Sequence, residues 1–377
     1  MLEKQDKQNN KIKIVYVIPT LDSGGAERFF VDLILNLDLD KFAPTFLLFK
    51  SGGLWLKELE EANIPIILLS KKYKIDLINF LKLFSNLKKI RPEIVHTQLG
   101  GDFYGRIAAK ILKVPVIIST EQNLNPEEKF WPNLFKKFTS CLADSIIAIS
   151  SAVKNDLVSR YNIKPDKIKI IPNGVNIKKF LNYSKTPDLP IKNVTFPRKI
   201  ILGTIGRLTK QKGQVILIKA LAKLKNYDFE CLIAGVGSLE ESLNNKIKSL
   251  NLSGKVKLVG KINDVPNFLN SLDAFIFPSI WEGQGIVLLE AALAGLPIIA
   301  SEVDGIKDLL SNETAYLTKV GDVEDLSSKI AWLLNNLDSV TVRSRSNKLR
   351  EEVINRYSIE KICAEYQKLY LSLLNSK

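Results

Sequence analysis

The chain has 377 residues, of which 46% are apolar and 25% charged, and its formal net charge is +14 at pH 7. This composition is typical of a soluble globular protein with room for two domains, and it excludes a disordered chain. The three cysteines lie far apart and form no CxxC pair, which argues against a disulfide framework or zinc site and favours a reducing cytoplasm.

The sequence shows no clear signal peptide or membrane-spanning segment. No apolar run approaches the roughly 18 residues that cross a bilayer. The N-terminal residues 1–13 are polar and mixed in charge, and the apolar run that follows ends at Pro19. We therefore expect neither a membrane-spanning helix nor a signal peptide.

The first half of the chain alternates short apolar segments with amphipathic ones. Strands are predicted at residues 12–18, 45–49, 66–69, 94–96, 116–119, 145–149 and 168–171. Helices are predicted from the Gly24 turn to about Leu37, and at 54–62, 76–90, 104–112, 133–142 and 151–160. Such alternation indicates a parallel, doubly wound sheet.

The rhythm is interrupted at 176–199, a polar span with three prolines that we interpret as a linker. A second α/β pattern follows, with strands predicted at 200–205, 229–234, 256–259, 274–277 and 297–300 and a helical end at 323–377. The predicted fold class is α/β, with two Rossmann-like doubly wound domains facing each other across a cleft. The domains are predicted at 1–185 and 198–357, with the helix 358–377 packing back on the first.

Two glycines, Gly24 and Gly25, follow the first strand and open a helix. Glycine lets the backbone approach a phosphate, and a helix N-terminus supplies free N–H groups and the positive end of a dipole. A plain tight turn is an equally good interpretation. The dinucleotide pattern GxGxxG is absent, which argues against a dehydrogenase.

A basic loop, 206–213, follows the first strand of the second domain. It carries Arg207 and Lys212, and a guanidinium and an ammonium aimed at one spot suit a diphosphate. The alternative is a solvated basic loop, which is our interpretation of Lys210. The position at the carboxyl end of a strand favours ligand binding by Arg207 and Lys212.

Two glutamates frame the most apolar helix, predicted at 285–294. Because that helix is apolar on nearly every face, Glu290 is predicted to be a buried carboxylate in need of a partner. Glu282 precedes it by eight residues, roughly 12 Å along a continuous helix. That span suits a sugar at one carboxylate and a ribose at the other, with phosphates at the first turn. A structural ion pair of Glu290 is the alternative.

Together these segments resemble the retaining glycosyltransferases of family 4, which have the GT-B fold. The resemblance covers nearly the whole chain. It rests on Gly-Gly-Ala-Glu-Arg at 24–28, Val-His-Thr at 95–97, Ile-Pro-Asn-Gly-Val at 171–175, Gly-Arg-Leu at 206–208 with Lys212-Gly213, and the E-x7-E motif of Glu282 and Glu290. The last two motifs together are highly specific.

The resemblance implies a role for each matching residue. Arg207 and Lys212 would bind the donor diphosphate, Glu282 the transferred sugar and Glu290 the ribose. Arg207, Lys212 and Glu282 are thereby the predicted catalytic residues. Further donor-binding positions are implied at Gly24, Gly25, Ser279, Gly285 and Ile286. The family's mechanism is front-face substitution, in which the leaving diphosphate takes the proton of the acceptor.

Two positions depart from the family pattern. Gln122 stands where an active-site histidine is frequent, and Gln284 stands where an aromatic residue is common. Gln122 and His96, the only histidine, are candidate contacts to the sugar or acceptor, although a lone histidine at a strand end is more often a structural hydrogen-bonder.

Metal ligands and cofactor motifs are not evident in the sequence. There is no cluster with metal-ligand spacing and no Asp-x-Asp motif, so we expect neither a metal nor another cofactor. The charge of the leaving group would then be met by Arg207, Lys212 and helix N-termini.

Positive charge is concentrated in 71–91, which has seven basic residues against one acid. Apolar residues alternate with these charges, and 130–138 places aromatic residues beside Lys136 and Lys137. Such segments can lie on an anionic membrane surface, which would make the protein peripheral on the inner face of the cell membrane. The alternative for 71–91 is an ordinary helix with one face on the sheet.

The sequence thus predicts transfer of a hexosyl-type sugar from a UDP- or GDP-sugar to a saccharide or lipid-linked acceptor. Surface polysaccharide or glycolipid biosynthesis is the setting implied by the resemblance. One alternative is a nucleotide-sugar epimerase of the same fold. The other is a basic nucleic-acid-binding protein, which lacks a recognition motif and whose glutamates would repel phosphates.

Overall fold

The computed structural model describes residues 11–22, 24–50, 53–70, 76–98, 101–124, 136–181 and 199–377. The chain forms two compact units, Met1–Gly174 with Ile359–Lys377 and Val175–Ser358. The second unit thus begins earlier than the predicted residue 198. Lys178–Leu181 form a helical turn instead of linker, and Phe180 is buried in the core of the second unit. The rest of the predicted linker, 182–198, lies outside the described residues.

The described elements alternate strand and helix through both units. The strands are β1 Ile12–Ile18, β2 Phe42–Leu48, β3 Ile66–Leu68, β4 Ile94–Gln98, β5 Val116–Glu121, β6 Ser145–Ala148, β7 Ile168–Ile170, β8 Ile200–Ile205, β9 Phe229–Ala234, β10 Val256–Gly260, β11 Ala274–Phe277, β12 Ile298–Ser301 and β13 Tyr316–Thr318. The helices are α1 Gly25–Leu35, α2 Leu56–Glu61, α3 Leu77–Ile90, α4 Asp102–Ile111, α5 Ser151–Tyr161, α6 Lys178–Leu181, α7 Gln214–Ala222, α8 Glu240–Ser249, α9 Val265–Asn270, α10 Ile286–Leu293, α11 Val323–Asn336, α12 Val340–Arg356 and α13 Ile359–Asn375.

Each unit is built on one parallel sheet. Within the described residues, the first sheet has seven strands in the order β3-β2-β1-β4-β5-β6-β7, and the second has six in the order β10-β9-β8-β11-β12-β13. Buried apolar strands joined by helices are the signature of doubly wound sheets, because the crossover helices cover both faces. The strand order reverses once in each sheet, between β1 and β4 and between β8 and β11.

Local sequence explains where the helices begin. Asp76 accepts a hydrogen bond from the backbone N–H of Asn79 at the start of α3, and Ser150 does the same for Val153 at the start of α5. The helical end predicted at 323–377 is divided into three helices, since Ser339 caps α12 and a further break separates α12 from α13. The short strand β13 was not predicted, because three residues are too few for a periodic signal.

The last helix, α13, belongs to the first unit and packs against α1. Its Tyr370 hydroxyl lies 2.8 Å from Nδ1 of His96 and 3.1 Å from the hydroxyl of Tyr16, all of them buried. The ring of Tyr366 stacks on His96 with centroids 5.9 Å apart. A polar and aromatic cluster therefore joins the end of the chain to β1 and β4.

Removal of the Tyr370 hydroxyl tests this attachment. Tyr370→Phe leaves His96 and Tyr16 each short of a buried hydrogen-bond partner, so we expect the free energy of unfolding to fall by about 1–3 kcal/mol. Urea unfolding followed by circular dichroism measures the change. Leu371→Ala, at a neighbouring position that is 37% exposed, is the control and should change stability much less. Equal stability of Tyr370→Phe and the wild type would contradict the proposed attachment.

Candidate functional site

The switch point of the second sheet lies between β8 and β11, where Leu202 pairs with Ala274 and Gly203 with Phe275. Both strands end at the same edge, and two loops leave from it, 206–213 after β8 and 278–285 after β11. In open α/β sheets, ligands bind in the crevice at such a point. The two most specific sequence motifs therefore lie side by side at the expected position of a ligand site.

The two loops are tied together through their backbones. The N–H of Ile280 donates to the carbonyl of Gln211 at 2.7 Å, and Nε2 of Gln211 donates to the carbonyl of Trp281 at 3.0 Å. Gly213 has a φ of +64°, and a β-carbon there would stand 1.9 Å from the carbonyl oxygen of Pro278. Only glycine at position 213 allows the backbones of the loops 206–213 and 278–285 to come this close. The close contact holds the two loops together.

Lys212, Ser279 and Glu282 meet at this junction. Nζ of Lys212 lies 2.5 Å from Oε1 of Glu282, and the Ser279 hydroxyl donates to the same oxygen at 2.8 Å. The Glu282 side chain is only 4% exposed, while that of Lys212 is 18% exposed. The ammonium also lies 5.7 Å from the centre of the Phe277 ring. The junction thus presents a paired, oriented carboxylate beside a cation that still reaches solvent.

Arg207 lies on the same basic loop but is exposed. Its backbone carbonyl accepts a hydrogen bond of 3.0 Å from Nε2 of the buried Gln214, the first residue of α7. The backbone of Arg207 is therefore anchored while its guanidinium faces solvent. The structure brings Lys212, Ser279 and Glu282 into contact and leaves Arg207 as an exposed neighbour in sequence.

The helix α10 differs from the expectation in two ways. It begins at Ile286, because Gly285 has a φ of +78° and a β-carbon there would stand 2.9 Å from the Phe277 ring. Residues 282–284 are not helical, so the distance derived for a continuous helix does not apply. Glu290 is partly exposed and not the buried carboxylate that was predicted, since its helix turns one side out of the core.

In the first unit, Gly24 and Gly25 lie at the start of α1, as the sequence predicted. Gly24 is the N-cap residue with extended backbone, and Gly25 is the first helical residue. The carboxylate of Glu27 folds back over this turn, so that a β-carbon at Gly24 would stand 1.9 Å from Oε2 of Glu27. The turn therefore carries its own negative group at the N-terminus of the helix.

His96 and Gln122 are both occupied by protein contacts. His96 is fully buried, and its Nε2 lies 2.8 Å from the Thr120 hydroxyl while its Nδ1 contacts Tyr370. Burial lowers the pKa of His96 to about 3, so the imidazole is neutral. Gln122 exchanges two hydrogen bonds with Asn173, at 3.1 and 2.9 Å. Both ring nitrogens of His96 are therefore occupied inside the unit, which favours its structural interpretation, and its contact with the sugar or acceptor stays a prediction.

A buried charge cluster in the first unit was missed by the sequence analysis. Arg106 on α4 is fully buried and lies 3.3 Å from Oε1 of Glu121 and 3.4 Å from Oδ1 of Asp102. Lys136 lies 2.7 Å from the other oxygen of Glu121, and the Thr97 hydroxyl donates to Asp102 at 2.6 Å. Two cations and two carboxylates thus balance at the carboxyl ends of β4 and β5.

The two carboxyl groups and Lys136 differ in how their surroundings shift their pKa values. Burial raises the pKa of Asp102 to about 6, against the opposing charge of Arg106. Burial also disfavours the carboxylate of Glu121, but the charges of Lys136 and Arg106 outweigh it and lower its pKa. Burial disfavours the ammonium of Lys136, yet Glu121 raises its pKa. The one signal in the sequence was the i, i+4 spacing of Asp102 and Arg106, which is commonplace on exposed helices.

Metal-binding groups are not apparent in the described ranges. Across 11–377, apart from the gaps given above, no three histidine, cysteine or acidic side chains are arranged to hold a metal ion.

Two models of known protein families match the chain. The family described as "Glycosyltransferase Family 4" matches residues 23–179, and the family described as "Glycosyl transferases group 1" matches residues 186–355. An Escherichia coli UDP-Gal:alpha-D-GlcNAc-diphosphoundecaprenol alpha-1,3-galactosyltransferase is 28% identical over 98% of this chain and 99% of its own.

Solved structures match the fold over nearly its whole length. A glycosyltransferase from Rickettsia africae has a TM-score of 0.82 and 25% identity, covering 98% of this chain and 100% of its own. Anabaena HepE, solved in complex with UDP-glucose, has a TM-score of 0.82 and 21% identity, covering 96% of this chain and 100% of its own.

Two parallel doubly wound sheets, matched over 98% of the chain by a solved glycosyltransferase, have the architecture of the GT-B class of glycosyltransferases. Within that class, the chain belongs to glycosyltransferase family 4 (glycosyl transferases group 1). The family and the enzyme class predicted from the sequence are confirmed.

Asp102, whose side chain is 15% exposed, gives a prediction for stability against pH. Its folded-state pKa of about 6 exceeds the ordinary value of 3.8, so stability present in acid is lost as pH rises from about 4 to about 6. The non-titrating variant Asp102→Asn lacks this loss. Between pH 5 and pH 7, the wild type should therefore lose about 1 kcal/mol relative to Asp102→Asn in urea unfolding. A difference that is constant with pH, or of opposite sign, would contradict the raised pKa.

Proposed function

We propose that this glycosyltransferase moves a hexosyl-type sugar from a nucleotide diphosphate sugar to a lipid-linked or saccharide acceptor, with retention of configuration. UDP is the preferred nucleotide and GDP the alternative. The observation that carries the proposal is the contact of Lys212 with Glu282 across the two loops at the switch point. A single lysine or glutamate in a loop is common and indicates no function. A lysine in contact with a glutamate in the crevice at the strand ends suits a charged ligand with hydroxyl groups.

Each group at the junction has a chemical task in this proposal. The ammonium of Lys212 is held by Glu282 and is partly exposed, so it can meet the negative charge that develops on a leaving diphosphate. Arg207 supplies an exposed guanidinium from the same loop, and the N-terminus of α10, at Gly285 and Ile286, supplies backbone N–H groups. Together these groups stabilise the anion in the transition state.

The carboxylates would orient the sugar and the ribose. Glu282 is fixed by Ser279 and Lys212, so it can accept hydrogen bonds from hydroxyl groups of the transferred sugar without reorganising. Glu290, partly exposed on α10, is assigned to the ribose hydroxyls by the family resemblance. The glycosidic C–O bond breaks, the diphosphate leaves and takes the acceptor's proton, and the acceptor oxygen bonds to the anomeric carbon on the same face.

The relatives support the choice of substrates. The Escherichia coli relative is named for UDP-Gal as donor and a GlcNAc-diphosphoundecaprenol as acceptor, and Anabaena HepE was solved with UDP-glucose. These names support a UDP-sugar donor and a lipid-linked saccharide acceptor in the assembly of a surface polysaccharide or glycolipid.

Lys212→Ala tests the donor site. Loss of the ammonium removes the group that meets the diphosphate charge and leaves Glu282 without its cation, so we expect turnover to fall by 10²-fold or more. The assay is UDP release from UDP-sugars, with melting temperature as the check on folding. Lys210→Ala, at an exposed lysine two residues away, is the matched control and should keep near-normal turnover.

The assay of Lys212→Ala requires a donor, which is identified first. A thermal-shift series with UDP-, GDP- and ADP-sugars identifies the nucleotide that stabilises the wild type. Near-normal turnover of a folded Lys212→Ala protein would remove Lys212 from the mechanism. Stabilisation by GDP-sugars and not by UDP-sugars would replace the donor while leaving the site in place.

We also propose peripheral attachment to an anionic membrane through α3 of the first unit. Leu77, Ile78 and Leu81 are 68%, 68% and 57% exposed, and their spacing puts them on one side of the helix. The same helix exposes the lysines Lys82, Lys88 and Lys89. Exposed apolar side chains with neighbouring positive charge suit the surface of an anionic bilayer.

The second predicted membrane segment is described only in part. Phe138 is 65% exposed and follows the exposed Lys137, whereas 71–75 and 130–135 lie outside the described residues. Among the helices that are described, none combines the length and apolarity needed to cross a membrane.

Flotation with liposomes tests the attachment. The triple variant Leu77→Ser, Ile78→Ser, Leu81→Ser should float with anionic liposomes about tenfold less than the wild type, because the apolar contribution to membrane binding is lost. Val340→Ser, which changes an 84% exposed residue of the second unit, is the control and should float normally. No recovery of the wild type with anionic liposomes at low salt would refute the attachment.

A further inference from the structure

Two buried polar atoms at the carboxyl edge of the first sheet have no hydrogen-bond partner among the described residues. They are Oε1 of Gln98 and Oγ1 of Thr20. Gln98 is the last residue of β4 and is fully buried, and Thr20 follows the end of β1 by two residues. Because Val17 pairs with Thr97, both strands end together at the switch point of this sheet.

The amide of Gln98 is oriented toward the start of α1. Its Nε2 donates to the carbonyl of Ala26, the second residue of α1, at a long 3.4 Å. Because both terminal atoms of the amide share one carbon, Oε1 also lies near the first turn of this helix. One atom of the amide is therefore weakly bonded and the other has no bonding partner among the described residues.

Two further buried atoms of the same unit, Oδ1 of Asn79 and the hydroxyl of Tyr366, also have no hydrogen-bond partner among the described residues, whereas other buried polar side chains are satisfied. Gln122 and Asn173 exchange two hydrogen bonds, and the buried Arg106 contacts several hydroxyls and carboxylates. Buried polar groups in folded proteins nearly always have a partner, so an exception calls for a ligand or a water. Gln98 and Thr20 differ from Asn79 and Tyr366 in following the two strands that flank the switch point, where doubly wound sheets bind ligands.

The chemistry of the atoms selects a neutral, hydroxyl-bearing ligand. An amide oxygen only accepts hydrogen bonds, whereas the Thr20 hydroxyl can donate or accept. A deprotonated phosphate oxygen also only accepts hydrogen bonds, so it cannot serve Oε1 of Gln98. A sugar ring supplies neutral hydroxyl groups that both donate and accept.

We propose that Gln98 and Thr20 form a sugar-hydroxyl subsite within the first unit. Oε1 of Gln98 accepts a hydrogen bond from a hydroxyl of either the donor sugar or the acceptor saccharide, and Thr20 binds a second hydroxyl. This inference rests on the proposed function and adds a specificity-determining pair to it. His96, the candidate two residues earlier on β4, is buried with both ring nitrogens bonded, whereas Oε1 of Gln98 has no partner among the described residues.

The test is Gln98→Met, which keeps the length of the side chain and removes the amide. Transfer, measured as kcat/KM, should fall by ~10-fold or more, because a hydrogen bond to substrate is lost. The melting temperature should stay equal or rise, because an unsatisfied buried carbonyl is also removed. Thr20→Val, a second variant of similar shape, should lower kcat/KM in the same direction.

Gln367→Met is the matched control in the same unit. Oε1 of Gln367 accepts a 3.0 Å hydrogen bond from the backbone of Asp38, ahead of β2 at the opposite edge of the sheet. This variant should lower the melting temperature and leave kcat/KM within about twofold of the wild type. A Gln98→Met protein that loses stability as Gln367→Met does would show that Gln98 is structural and would overturn the subsite.

Two measurements on Gln98→Met show whether the bound hydroxyl belongs to the donor sugar or to the acceptor saccharide. The ratio of the Kd of UDP to that of UDP-glucose, from calorimetry, should fall in Gln98→Met if the donor sugar is bound. If the acceptor is bound, the ratio is unchanged and the KM of a polyprenyl-diphosphate-linked N-acetylglucosamine rises by ~10-fold. Either result supports the subsite.

Failure of the two proposals can be told apart. Normal transfer by both the wild type and Gln98→Met would mean that only a water serves Gln98, and would overturn the subsite alone. Absence of both nucleotide-sugar binding and transfer in the wild type would overturn the proposed function, and the subsite with it.

Discussion

Parallel strands that share one direction place all their carboxyl ends at one edge, and this constraint organises both units of the chain. Where the strand order reverses, neighbouring loops turn toward opposite faces of the sheet and leave a crevice between them. In the second unit, the reversal between β8 and β11 brings the loops 206–213 and 278–285 together, although some 70 residues separate them. The contact of Lys212 with Glu282 follows from that topology and would not arise if β8 and β11 were not neighbours.

The sequence predicted most of this architecture because its signals are local and strong. Continuous apolar runs such as 12–18 identify buried parallel strands, and loops with glycines at strand ends identify the switch points. The motifs also predicted that Lys212 and Glu282 serve one site, and the structure brings the two side chains into contact. The strand β13 and the helical turn Lys178–Leu181 escaped detection, since three or four residues carry no period and their structure depends on packing against the rest of the second unit.

What the sequence could not predict are properties set by long-range packing. Glu290 is partly exposed because α10 turns that side of the helix out of the core, and the apolar composition alone could not show which side that is. His96 is hydrogen-bonded to Tyr370, which lies 274 residues away in the sequence. Arg106 contacts Glu121 because α4 lies next to β5. Conversely, Gln98 has no feature that marks it in the sequence, and its unsatisfied oxygen becomes visible only once the neighbours are in place.

The return of α13 to the first unit has a consequence for the order in which the chain folds. The second unit, Val175–Ser358, is continuous, whereas the first is assembled from Met1–Gly174 and Ile359–Lys377. All residues of the second unit are synthesised before the tyrosines that contact His96. Until then, β1 and β4 expose an apolar face that α13 will later cover. A fragment ending at Gly174 therefore lacks a structural part of its own domain, whereas the second unit is a single stretch of the chain.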